Sequence, residues 1–180
     1  MQTKQMFKAA GFTIVELVVV IILLGILAAT ALPRFIDLDD EANAAAFSGV
    51  LGGFQTGVAL YHAQYMANGE PPAGTQIPEF SDLRTNAQGY PYSTTSTTGN
   101  VIATNADCST VFQGLLQAGP TVSVAPVTTA TNTDYAAARE SDTSCAFYYT
   151  GQNNNTGETI PMLRYNAFNG VVSRDTYTIP

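Results

Sequence analysis

The stretch from Gly11 to Phe35, GFTIVELVVVIILLGILAATALPRF, decides how the rest of the chain is read. Leu17 to Leu32 carries no charged residue. At about 1.5 Å per residue, a helix over 12–32 is roughly 31 Å long, close to one bilayer hydrocarbon thickness. Lys4 and Lys8 precede it, and no acid comes before Glu16. The positive-inside rule then keeps the N-terminus cytoplasmic and sends everything after Arg34 across the membrane. Glu16 is the oddity. A lone carboxylate in a spanning helix costs about 2.5–3.5 kcal/mol at the centre, less near an interface, and marks a functional candidate.

Three readings fit this run. A secretory signal peptide is one, and Ala29-Thr30-Ala31 supplies a small-residue cleavage site for it. A permanent single-span anchor is the second. The third is a cut after Gly11 that leaves the apolar helix on the mature chain. Glu16 discriminates between them. A signal peptide gains nothing from an acid at the edge of its apolar core, and a plain anchor leaves that acid without a positive partner. A cut after Gly11 creates an α-amine on Phe12, four residues away in the same chain or available from a neighbouring subunit.

Composition narrows the function classes. The 180 residues suit one domain plus an appendage, and 46% apolar against 12% charged suits a packed core. A net charge of −7 gives no electrostatic footprint for nucleic acid, so no nucleic-acid partner is expected. The two cysteines, Cys108 and Cys145, read as one disulfide in an exported chain and as buried thiols in a cytosolic one. Export across the membrane favours the bridge.

The N-terminus resembles that of type IV pilins and pseudopilins. The likeness rests on Lys4, Lys8, the run Gly11-Phe12-Thr13-Ile14-Val15-Glu16-Leu17, the apolar stretch after it, and the placing of Gly25 and Pro33. It implies a leader, 1–11, removed after Gly11 by a membrane prepilin peptidase that also N-methylates Phe12. It further implies that Glu16 pairs with the Phe12 amine of an adjacent subunit, and that the stretch from Gly25 to Pro33 loses helical hydrogen bonds on assembly. Within the family, the run from Ala31 to Tyr65 and the Cys108 segment CSTVFQGLLQAGPTV look most like the mannose-sensitive haemagglutinin (MSHA) pilins. The implied fold is α+β: a long helix, 12–68, whose C-terminal half packs on an antiparallel sheet within a head, 69–180.

The residues beyond the membrane segment support such a helix. Phe47, Leu51, Phe54, Val58, Tyr61 and Tyr65 alternate at intervals of four and three, which puts them on one face. Asp37, Asp39, Asp40 and Glu41 form a solvated cluster after Pro33. Ala45, Gly49, Gly53 and Gly57 recur at i+4, a spacing that suits close approach of another backbone. Asn68-Gly69 before Pro71-Pro72 reads as the stop. A helix of this length, roughly 85 Å, cannot be buried by one small head. Its uncovered apolar part must meet lipid or other copies of itself.

For the head, Asp107 is expected to cap a helix over 108–118 and Gly119-Pro120 to stop it. A strand is expected over 121–129, broken by Pro126, and another over 145–150. Asn169-Gly170 is expected to turn a hairpin of type I′ between segments of 159–179. Ser93 to Thr98 reads as an exposed loop, and Asn154-Asn155-Thr156 as a loop that happens to form a sequon.

Chemistry-bearing constellations are sparse. His62 is the only histidine, beside Tyr61 and Tyr65, and reads as a packing residue. No catalytic residue, metal site or cofactor is expected. Asp107, Asp134, Glu140 and Asp142 are weak oxygen-ligand candidates for calcium, without EF-hand spacing. The expected function is a structural subunit, held in the inner membrane as a precursor. An assembly platform would extract it into an extracellular pilus of a Gram-negative bacterium, for adhesion and biofilm formation. The alternative is a pseudopilin of a type II secretion system, against which the cysteine pair argues. An anchored periplasmic enzyme is a third class without a catalytic constellation.

Overall fold

The computed structural model describes residues 12–95, 101–124, 133–151 and 155–180, with the backbone alone for 31–38. The segment expected as a leader, 1–11, Gly11 included, lies outside these residues, as do Pro126 and Asn154. Helix α1 is Ile14–Ala67. The chain divides between Ala42 and Asn43 into two units, so α1 contributes to both.

In the second unit α1 is organised by the face expected from its spacing. Phe47, Phe54, Val58, Tyr61 and Tyr65 are buried, with Leu51 half-buried at the edge. The helix stops because Gly69 adopts φ +79°, a left-handed value that costs glycine little. The N–H of Gly69 donates to the Met66 carbonyl at 3.0 Å and that of Glu70 to Tyr65 at 3.1 Å, a Schellman closure that satisfies the last carbonyls.

After α1 come three short strands, β1 (Gln76–Ile77), β2 (Leu83–Thr85) and β3 (Pro91–Ser93), in a small antiparallel sheet. A 3-10 turn, Pro78–Phe80, lies between β1 and β2. Helix α2, Asn105–Leu115, leads to a second sheet of order β4-β5-β6-β7-β8. Its strands are Val122–Ser123, Tyr135–Ser141, Ser144–Tyr149, Thr159–Asn166 and Val171–Thr178. Strands β5 to β8 are antiparallel neighbours, whereas β4 joins β5 in parallel. The fold is α+β.

Phe54 sits where the layers meet. Its ring centroid is 5.8 Å from Phe112 on α2, 5.3 Å from Phe147 on β6 and 5.6 Å from Tyr165 on β7. The buried Tyr135 hydroxyl has no partner among the described residues, whereas the Tyr61 hydroxyl donates to Leu83 O and the Tyr165 hydroxyl to Pro91 O, so these two buried phenols are satisfied. Burial pushes both phenols up, keeping them neutral donors. Cys108 on α2 is bridged to Cys145 on β6, with Cα atoms 5.6 Å apart.

Several expectations are corrected. Helix α2 begins earlier than 108, because Thr104 and not Asp107 is the cap, and it ends before 118, where Leu116 leaves helical geometry. The Thr104 hydroxyl accepts the Asp107 N–H at 3.2 Å, while the Asp107 carboxylate accepts the Thr104 N–H at 2.8 Å, a capping box. The strand expected over 121–129 is only Val122–Ser123 among the described residues. The β7–β8 connection is not a two-residue type I′ turn. The register pairs Asn166 with Val171, and in the 167–170 loop only Gly170 has positive φ, at +71°.

The glycine row on α1 divides. A Cβ on Gly57 would lie 2.7 Å from the Leu115 carbonyl, and one on Gly53 would lie 3.2 Å from Leu116 Cδ2, so these two let α2 approach. Gly49 and Gly52 have nothing within 4 Å. Two stability differences follow, both readable by denaturant unfolding of the full chain in detergent. Gly57→Ala is expected to destabilise by about 1–3 kcal/mol through overpacking, whereas Gly52→Ala should stabilise by up to ~1 kcal/mol through helix propensity. Replacing both cysteines by alanine should cost about 4 kcal/mol, the chain-entropy value for a bridge of this span.

Candidate assembly site

Helix α1 begins with a second capping box, Thr13-Ile14-Val15-Glu16. The Thr13 N–H donates to Glu16 Oε2 at 2.9 Å and the Thr13 hydroxyl donates to the same oxygen at 2.7 Å. The Glu16 N–H reaches back to Thr13 Oγ1 at 3.3 Å. Two of the orphan donors at the helix start are thus satisfied by the carboxylate and hydroxyl of the same box. The negative charge also sits at the positive end of the helix dipole. Thr13 escaped the sequence reading, which sought only a positive partner for Glu16. The signal was present as T-x-x-E.

Beyond this cap α1 presents apolar surface all round. Every large apolar side chain from Ile14 to Leu27 is exposed, from 42% at Val18 to 81% at Ile14. Phe12, just before the cap, is 79% exposed. Contiguous apolar exposure on this scale marks a surface that is covered in the working protein. The polar side chains of 13–30 are all engaged within the helix. Thr13 and Glu16 hold each other, and the Thr30 hydroxyl donates to the carbonyls of Ile26 and Leu27, at 3.3 and 3.0 Å. In an apolar environment the charge of Glu16 is then what remains to be compensated on the side chains of this stretch.

Gly25 lies mid-helix with nothing within 4 Å of where a Cβ would stand. At about 0.8–1.0 kcal/mol below alanine in helix propensity, it is a local weak point. The α1 backbone continues through Pro33, whose side chain lies outside the described set. Among the described residues no helix is long and apolar enough to cross a membrane. The segment expected to do so, 12–32, runs into 31–38, where only the backbone is described.

The other candidates have local structural partners. His62 stacks between Tyr65 and Tyr90, with ring centroids 5.9 and 4.6 Å away, and its Nδ1 lies 3.2 Å from the Gly89 carbonyl. Asp107 completes the α2 capping box from the third helical position and also accepts the buried Ser93 hydroxyl. Asp134 accepts the Thr121 N–H and hydroxyl at 2.8 and 2.7 Å. Glu140 accepts from Nε and Nη2 of Arg164, whose Nη1 donates to Asp175, and Asp142 pairs with Arg139. Among the described residues, no three or more of His, Cys, Asp or Glu gather as a metal site.

Residues 6–32 match the prokaryotic N-terminal methylation motif. The major component of the type IV narrow pilus of Thermus thermophilus is 35% identical over 107 residues, covering 59% of this chain and 90% of that relative. The chain belongs to the type IV pilin family. No solved structure matches this pilin at the same stringency. As a pilin it is a structural subunit of a pilus and not an enzyme, which gives the uncovered apolar helix a use.

The Thr13 box yields a test at single-residue level. Thr13→Val should fray the first turn, raising amide exchange at residues 14–17 in detergent by an amount matching about 0.5–2 kcal/mol. Thr13→Ser should leave exchange there unchanged.

Proposed function

We propose that this pilin is made as an inner-membrane precursor of a Gram-negative bacterium and cut after Gly11 by prepilin peptidase. The same enzyme N-methylates Phe12. Residues 12–68 then act as the assembly helix and 69–180 as the head. An inner-membrane platform draws the subunit out of the bilayer, and 12–32 moves from lipid into the core of a helical filament. The observation that carries this reading is the exposed apolar surface of 14–27 with Glu16 at its start. That surface is satisfied by either surrounding, because burial of apolar area stabilises both.

Glu16 has two roles in this scheme. Within the subunit it caps its own helix; between subunits its charge takes up the Phe12 amine of a neighbour. Paired, the carboxylate is tolerated in an apolar core; unpaired, it is costly, which disfavours misaligned subunits. Gly25 and Pro33 supply the stretch that yields during extraction. The likeness of 31–65 to MSHA pilins supports a filament used for surface adhesion and biofilm formation.

A pseudopilin of a type II secretion system would share this N-terminus. Electron microscopy separates the two readings: long surface filaments are expected, and short periplasmic fibres alone would favour the pseudopilin. The mature chain should begin with N-methyl-Phe12 by mass and N-terminal sequencing; a chain beginning at Leu32 would overturn the assembly scheme.

Glu16→Ala should leave membrane insertion intact and impair filament yield. Glu16→Gln isolates the charge, since glutamine also serves in a capping box. It should keep the helix start intact and still lower filament yield; normal filaments from Glu16→Gln would remove the intersubunit ion pair from the scheme.

A further inference from the structure

The part of α1 inside the head unit has a water-facing side of unusual chemistry. From Asn43 to Ala67 there is no Asp, Glu, Lys or Arg. Its exposed positions include Ala45, Ser48, Gly49, Gly52 and Thr56. A helix face left to solvent ordinarily carries charge. On this side an open groove of about 410 Å³ lies between α1 and α2, lined by Gly53, Gly57, Leu60, Phe80 and Leu115 among others, none of them charged. Leu60 is 58% exposed at its edge. At Gly53 the α1 backbone is exposed to the groove, whereas at Gly57 Leu115 packs against it and forms the groove wall.

A second apolar patch lies on the β7–β8 loop, whose residues 167–171 carry no charge, with Asp142 at its margin. Phe168 and Val171 are 58% and 53% exposed. The loop that presents them is held firmly. Asn166 Oδ1 accepts the Phe168 N–H at 2.8 Å, Asn169 Oδ1 accepts the Val171 N–H at 3.1 Å, and the Gly170 N–H donates to Asn166 O at 2.9 Å. The Ala167 N–H donates to Thr143 O at 2.7 Å, and Asn86 Nδ2 donates to the Ala167 carbonyl. A fixed loop has already lost the entropy that docking would otherwise cost, and here it holds a phenylalanine in water. The loop and the groove share no residue.

We propose that in the pilus Phe168 and Val171 of one subunit seat in the Gly53–Gly57–Leu60 groove of a second copy. This rests on the chain being a pilus subunit. Copies cut after Gly11 lose Lys4 and Lys8 and keep five Lys or Arg against fourteen Asp or Glu, a side-chain net charge of −9, so they repel one another and contacts between them are favoured where charge is missing. The loop residues 167–171 and the groove lining carry no charge of their own, and they are complementary in form: a loop with two exposed apolar side chains and an open groove. Because the two patches are different surfaces, the contact is heterologous, and each subunit that donates a loop still offers a free groove. Such contacts propagate along a helical filament instead of closing as a dimer. A groove-to-groove contact would close, and a groove filled by an unrelated protein would leave the loop idle.

The test places Leu60→Cys and Phe168→Cys in one full-length chain. The native bridge uses both natural cysteines, leaving no competing free thiol. Filaments from the double variant, mildly oxidised, should give a ladder of covalent multimers without reductant, and each single variant should run as monomer. Filaments of the double variant that dissociate only to monomer would overturn the proposal. So would dimers from Leu60→Cys alone, which would mean grooves facing each other. If the cysteines stop assembly, Leu60→Glu and Phe168→Lys replace them. Each alone should lower filament yield about tenfold or more and the pair should restore it. Unaffected single variants, or no restoration with normal subunit levels and an intact bridge, would equally contradict it. Absence of filaments from the unaltered chain would be a different failure, that of the pilus reading itself.

Discussion

Burial of one face of α1 is the interaction on which the head depends. Phe54 alone brings α1, α2 and two strands of the larger sheet into ring contact, and Phe47 and Tyr61 extend the same seam toward Tyr149 and Phe80. The bridge from Cys108 to Cys145 fastens α2 to that sheet behind the seam. The same helix has no comparable cover between Ile14 and Leu27, where every large apolar side chain is exposed. One continuous helix thus has a stretch finished by its own head and a stretch that only other molecules can finish. In the proposed scheme those molecules include further subunits of a pilus, as membership of the pilin family suggests.

The cap at the start of α1 makes that unfinished stretch workable. A carboxylate in an apolar surround is expensive when nothing bonds it. Here Thr13 donates twice to Glu16 before any neighbour arrives. In the proposed scheme the neighbour's amine adds to this arrangement, since a carboxylate can accept several hydrogen bonds. Local capping and intersubunit pairing therefore need not compete for the same lone pair.

Much of the architecture was legible in the sequence, for a physical reason. Large apolar residues at helical spacing, from Phe47 to Tyr65, state which face is buried, and Gly69 states where the helix stops. What escaped reading had weaker chemistry behind it. Strand β5 opens with Tyr135 and three alanines, and alanine has little strand preference; here it is paired with β6 and Ala136 and Ala137 are fully buried, so tertiary context overrides propensity. The start of α2 was misplaced because Asp107 suits both the cap and the third helical position, and only the Thr104 hydroxyl bond decides between them. The parallel pairing of β4 with β5 rests on backbone contacts that no side-chain pattern records. At the candidate site, Glu16 was conspicuous and Thr13 was not, although the spacing of the two is what sets the helix start.

The account stands or falls on what covers residues 14–27. An image reconstruction of filaments assembled from this chain, at a resolution that shows side chains, measures this directly. The account predicts these residues in the filament core, surrounded by the same segments of other subunits, with Glu16 facing inward beside a neighbouring Phe12. Filaments whose subunits lack this segment, or carry it exposed to water on the outside, would contradict it.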